Sequence, residues 1–191
     1  MKKRFFCVSL LAFLLISNYN FSQIKVQGVT LPAKLGKEDK VCVLNGAGVR
    51  NKYFMNVYIA GLYVTAKTTN PNEVINADKP MAVRLQIISA LVTQDRMAES
   101  IVEGFQKSTK GNTKPIQKEI DIIVKIFKSE PIKVGDVFDI WYTPGIGITA
   151  TKNSKKCDIL IPGLQFKKYT FGIWLCEDPV DDILKDKMLG L

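Results

Sequence analysis

Residues 44–64 read LNGAGVRNKYFMNVYIAGLYV. From residue 52 onward this stretch is aromatic and β-branched, so 52–65 is expected to form one long strand. Alternation puts Phe54, Asn56, Tyr58, Ala60 and Leu62 on one face and Tyr53, Met55, Val57, Ile59 and Tyr63 on the other. Both sets are largely apolar, which predicts a central strand covered on both sides, with a bulge at Gly61. Upstream, Gly46 and Gly48 look like the opening of a dinucleotide fingerprint. Asn51 occupies the third glycine position, however, and a strand follows instead of a helix. No helix N-terminus is then available for a pyrophosphate, and no cofactor is expected. The other use of the two glycines is to let a second chain segment pass closely. Arg50 lies between them and the strand. Its guanidinium suits a bidentate pair with a ligand carboxylate or oxyanion, or a structural ion pair with a core acid.

Outward from this stretch the chain reads as short, well-punctuated elements. Residues 24–31 (IKVQGVTL) alternate as a strand closed by Pro32, 34–39 form a turn, and 40–44 form a second strand. Asn70 caps a short helix over 71–76, and 81–89 (MAVRLQIIS) is a strand. Thr93 is the N-cap of a helix through Gln106, with Met97, Ile101, Val102 and Phe105 at helical spacing. A second helix covers 115–127, with Ile116, Ile120, Ile123, Val124 and Phe127 on one side. Residues 137–143 and 147–152 make a hairpin through Pro144-Gly145, followed by a strand over 156–161. Helices over 169–176 and 180–189 complete the chain, the last expected to start with Asp178 as N-cap and Pro179 at N1. No repeat or linker divides it. Strands, helices, strands, then helices read as one α+β domain with an antiparallel sheet.

The N-terminus carries a different signal. Lys2, Lys3 and Arg4 precede an apolar run of about 12 residues, 5–16, which is too short to span a bilayer at ~20 residues and suits a signal peptide. Residues 1–22 are therefore expected to be removed, leaving a domain over 23–191 with no membrane-spanning segment, in the periplasm or secreted. Without that leader the 27 basic residues fall to 24 against 18 acidic, a charge near +6. The lysines are scattered and do not interleave with aromatics, so no nucleic-acid partner is expected. The chain has no histidine, which excludes Ser-His-Asp and Cys-His nucleophilic machinery and histidine-containing zinc sites; no metal is expected. Cys42, Cys157 and Cys176 sit in apolar settings and are read as buried free thiols. Asp136, Asp139 and Glu177 form no paired-carboxylate motif.

The stretch 44–64 resembles the GGAGVR…F…GVYL segment of the chalcone isomerase fold family at Gly46, Gly48, Arg50, Tyr58, Gly61 and Tyr63. The C-terminal run FGIWLCEDPVDDILKDKMLG resembles the IWLG…PV…LK ending of its bacterial, exported branch, and the likeness covers most of 31–190. The resemblance implies an open-faced β-sandwich, a large antiparallel sheet with helices on one face and a ligand cleft between them. In the enzymes of this fold an Arg stabilises an oxyanion during an intramolecular ring closure, helped by Thr, Tyr and Asn side chains. Here only Arg50 matches. The strand Thr falls at Tyr58, the helix-start Tyr near Met97, the Asn near Gly104, and a late Ser or Thr near Ile173. One guanidinium without those partners organises little of a transition state.

A non-catalytic branch of the fold binds fatty acids, an Arg and a Tyr holding the carboxylate, and Arg50 with Tyr58 fits that chemistry. The expectation is a binding domain for an apolar small molecule with an anionic or carbonyl head. Arg50 and Tyr58 would anchor it, with Met97 and Ile101 along the cleft. The alternative is an isomerase or intramolecular lyase with Arg50 as oxyanion stabiliser and Tyr58 as proton donor. The plainer readings are that Tyr58 is satisfied by backbone, that Met97, Ile101 and Phe105 are ordinary core, and that Trp174 packs rather than gates a cavity.

Overall fold

The computed structural model describes residues 23–37 and 40–191; the expected leader, 1–22, lies outside them. The quoted stretch becomes two strands, β4 (Cys42–Lys52) and β5 (Met55–Val64). They join β3 (Lys34–Leu35), β6 (Met81–Ile87), β7 (Val137–Thr143), β8 (Gly147–Lys152) and β9 (Lys155–Ile161) in a seven-stranded antiparallel sheet. Its strand order is the chain order, β3 to β9. A separate hairpin pairs β1 (Ile24–Val26) with β2 (Val29–Leu31). The helices are α1 (Pro71–Asn76), α2 (Gln94–Ser108), α3 (Gln117–Lys128), α4 (Leu164–Leu175) and α5 (Asp182–Met188).

Two cores sandwich the sheet. On the helical side Tyr58, Ala60 and Leu62 of β5 join Val83 and Leu85 of β6, with Phe105, Ile120, Phe171 and Leu184 from the helices. On the other side Ile59 and Tyr63 pack with Leu31, Leu35, Cys42, Leu44 and Ala82 under the β1–β2 hairpin. The face assignment read from alternation in β5 holds from Tyr58 to Tyr63, whereas Val57, expected with Ile59 and Tyr63, packs against the helical-side core. Each such fully buried aliphatic side chain contributes about 1.5–3 kcal/mol; β5, an interior strand beside the central β6, is buried on both faces. Among the described residues no helix is long and apolar enough to cross a membrane.

Several expectations need correction. The strand expected over 24–31 is a two-residue hairpin, because Gln27 and Gly28 both take positive φ, 48° and 80°. Similarly, Tyr53 and Phe54 do not extend β5. They form the β4–β5 turn at φ 51° and 63°, both exposed. Gly61 carries no bulge; the irregularities fall between Leu44 and Gly46 and between Arg50 and Asn51. Gly61 is instead crowded, since a Cβ there would lie 3.2 Å from both Leu31 and Tyr63. Helix α4 begins five residues earlier than expected, at Leu164. Asp178 is not the cap of α5. That role falls to Asp181, whose carboxylate accepts from Leu184 N, while Asp178 pairs with Lys107. The N-caps Asn70 and Thr93 form as expected, accepting from Asn72 N and Arg96 N. The three cysteines among the described residues are free, but only Cys42 is buried; Cys157 and Cys176 are half-exposed.

Candidate ligand site between sheet and helices

Arg50 and Tyr58 are directly opposed residues of β4 and β5. Cross-strand neighbours on one face lie about 4.5–5.5 Å apart at Cβ, so register alone brings the two side chains together. The irregularity just after Arg50 is a local departure of the kind that re-aims a side chain beside a site. Upstream, Gly46 and Gly48 admit α5: a Cβ on Gly46 would sit 2.2 Å from Lys187 O, and one on Gly48 2.7 Å from Lys187 Cβ. Close passage is therefore what the glycines serve. Their contact seats α5 against β4, next to the strand end that carries Arg50.

Arg50 is 3% exposed. Its Nη1 donates to Tyr58 Oη at 3.5 Å, the outer limit of a hydrogen bond, and its Cζ lies 5.6 Å from the Tyr58 ring centroid. Trp174 Nε1 on α4 donates to the same phenol oxygen at 3.0 Å. With both contacts arriving at its lone pairs, the Tyr58 hydroxyl keeps its own proton to donate. The Tyr58 oxygen is thus held by side chains and not by backbone. Arg50 Nε has no hydrogen-bond partner, and among the described residues no carboxylate pairs with Arg50. The chain treats its other partly buried arginine in the opposite way. Arg84 Nε and Nη2 reach the Asp139 oxygens at 2.6 and 2.8 Å, and that bidentate bond raises the Arg84 pKa further despite burial. Asp136 pairs with Lys152, and Glu177 with Lys110. None of the three acids singled out from the sequence reaches Arg50.

Arg50, Tyr58, Met97 and Ile101 line one hollow of about 60 Å³ between the sheet and α2, α3 and α4. All four expected site residues therefore come together. Phe105, Ile123 and Ile159 make its wall apolar, and besides Arg50 and Tyr58 only Ser100, Thr170 and Trp174 bring polar groups. The Thr170 hydroxyl is already bonded to Phe166 O at 3.0 Å. A second hollow of about 190 Å³, lined by Lys52, Tyr53, Leu91 and Arg96, shares Tyr58, Met97 and Ser100 with the first. Tyr58 stands at the junction. Trp174 is both wall and hydrogen-bond donor, a role that its place in an apolar helical run did not disclose. Ser100 and Thr170 were likewise missed, since a lone hydroxyl in a helix gives no sequence signal. Of the positions that correspond to enzyme partners only Tyr58 is polar; Met97, Gly104 and Ile173 are apolar, and a Cβ on Gly104 would meet Ile173 Cγ2 at 2.7 Å. Among the described residues no cluster of acidic, cysteine or histidine side chains could hold a metal.

The arrangement presents hydrogen-bond donors, a fixed positive charge and no base, at one end of an apolar enclosure. Such a site can hold an anion or a polarised carbonyl. A crystal structure of a fatty-acid binding protein from Arabidopsis thaliana is similar to this chain over 88% of its length and 96% of the plant chain, at 18% identity and TM-score 0.69. No curated protein sequence matches. The chalcone isomerase-like family model matches residues 23–190. With that match covering most of the sequence, the chain belongs to the chalcone isomerase-like family.

Proposed function

We propose that this protein binds, without transforming it, a fatty-acid-like molecule, gripping its carboxylate with Arg50 and Tyr58. The carrying observation is the buried guanidinium with no acidic partner and an unbonded Nε, at the wall of an apolar hollow. Leaving a buried charge unpaired costs several kcal/mol, and an anionic guest relieves that cost. The tail lies in the inner hollow under α2, α3 and α4. The two hollows, about 60 and 190 Å³, fall short of the ~300 Å³ at the low end of small-molecule sites. A long acyl chain therefore enters only as α2 yields, and binding should slow amide exchange across Met97–Phe105. The fatty-acid binding of the plant relative accords with this reading. The protein acts outside the cytoplasm as a mature domain over 23–191, in the periplasm or secreted, a reading supported by Lys2, Lys3, Arg4 and the short apolar run after them.

Native mass spectrometry of gently purified protein tests the binding. An adduct of fatty-acid mass in the wild type that is missing from Arg50→Gln supports it. Bare protein in both, with no uptake on addition of oleate, removes it. N-terminal sequencing of the exported product tests the cleavage, with Gln23 expected first.

A further inference from the structure

Three two-residue hairpin turns in this chain share one backbone conformation, with positive φ at both central residues. They are Gln27-Gly28 (48°, 80°), Asn153-Ser154 (49°, 67°) and Tyr53-Phe54 (51°, 63°). Positive φ favours Gly and Asn and strains other side chains, bulky ones most. The first two turns carry a glycine or an asparagine. The third carries two aromatics, Tyr53 79% and Phe54 106% exposed. Neither conformational preference nor core packing calls for aromatics at that tip. Leu91, 48% exposed, lines the outer hollow together with Tyr53, and this hollow leads to Tyr58. The exposed aromatic tip thus stands at the mouth of the ligand site.

We propose that the Tyr53-Phe54 tip, with Leu91, docks the mouth of the site on the surface of a lipid bilayer, from which the guest is drawn. The proposal rests on the fatty-acid reading for its purpose but on separate residues for its mechanism. Aromatic side chains partition into the membrane–water interface. The local charges argue for apolar docking. Lys52 is paired with Glu103 at 2.6 Å and lies over the Tyr53 ring at 5.6 Å, while Arg96 donates to Leu91 O at 3.1 Å and shares the wall with Glu99. The mouth has no excess positive charge, so neutral lipid suffices and the fit is to a bilayer, not to an acidic protein partner. It also explains the continuity of the wall, since Tyr53 and Leu91 line the hollow whose inner end is Tyr58. A molecule leaving the bilayer there moves tail-first under α2 without crossing water.

The test compares the wild type with Tyr53→Asn/Phe54→Gly, a pair that suits this turn. With phosphatidylcholine vesicles in a flotation assay, the wild type should rise with the lipid and the double variant should remain below. Transfer of a fluorescent fatty acid from those vesicles should slow at least tenfold in the variant. The single variant Phe54→Gly, at a residue that lines neither hollow, should keep the equilibrium affinity for the same fatty acid in free solution within twofold, and the melting temperature of the double variant should rise because the turn is relieved. Equal flotation of both proteins, or none of either, overturns the proposal, as does a tip-dependent dimer with no vesicle binding. A failure of both proteins to bind fatty acid in free solution counts against the ligand reading alone, because flotation is scored without ligand.

Discussion

In the proposed binding, Arg50 and Tyr58 would divide the work of holding a head group. Arg50 brings charge and an unengaged Nε–H, while Tyr58 brings a donor proton freed by the bonds its oxygen accepts. Tyr58→Phe removes that donor and also leaves the buried Trp174 Nε1–H without an acceptor. It should lower stability by about 1–3 kcal/mol in chemical denaturation and weaken carboxylate binding about tenfold. Arg50→Gln behaves differently. Removing a buried charge with no partner should leave the melting temperature unchanged or higher, whereas a structural arginine such as Arg84 should cost stability when replaced. Both candidate residues were legible in the sequence, because strand alternation and a motif single them out locally. The Trp174 contact was not, since it joins residues 116 positions apart. The orphaned Nε was not legible either, because an absent partner is a property of packing.

At the scale of elements, the site depends on what seats α1, α4 and α5. Lys167 of α4 is fully buried, and its ammonium donates to the carbonyls of Val74, Ile75 and Ala77 at 2.6, 3.0 and 2.7 Å, closing the C-terminal end of α1. Lys167→Met keeps the stem and strips all three carbonyls of their donor, so it should cost about 3 kcal/mol or more, read by urea denaturation. Gly46→Ala should be worse tolerated than Gly48→Ala. The first meets backbone of α5 at 2.2 Å, whereas the second meets the Lys187 side chain. The two helix starts capped by Asn70 and Thr93 were readable because a cap is local chemistry. The start at Asp181 was misread as Asp178-Pro179, since the pairing of Asp178 with Lys107 on α2 is tertiary. The β4–β5 turn was also misread: its aromatics have strand propensity, and only the antiparallel register of the neighbours reveals a hairpin there.

For the whole molecule, two buried cores make the fold sensitive to alkali. Burial pushes the Cys42 thiol up to about 11 and, with the Asp78 hydrogen bond, the Tyr142 phenol up to about 12. Each folded value lies above the unfolded one, so their contribution is complete below about pH 9 and is lost as pH rises towards 12. Lys167 works the other way. Burial lowers it to about 8, so the unfolded chain holds that proton longer and stability gains between about pH 8 and 10.5. Melting temperature should therefore hold to about pH 10 and then fall. Tyr142→Phe should make the fall shallower, and an unchanged slope would count against the assignment. The antiparallel sheet was foreseen from element order and its helices on one face from the family resemblance, but the lid of β1 and β2 on the opposite face was not, because a single strand was read there. The central claim is that the buried guanidinium is kept for a guest. Isothermal titration of wild type and Arg50→Gln with a medium-chain fatty acid addresses it directly. The account predicts saturable one-to-one binding to the wild type, weakened at least a hundredfold in the variant at equal or greater stability. Equal affinity in both proteins would contradict it.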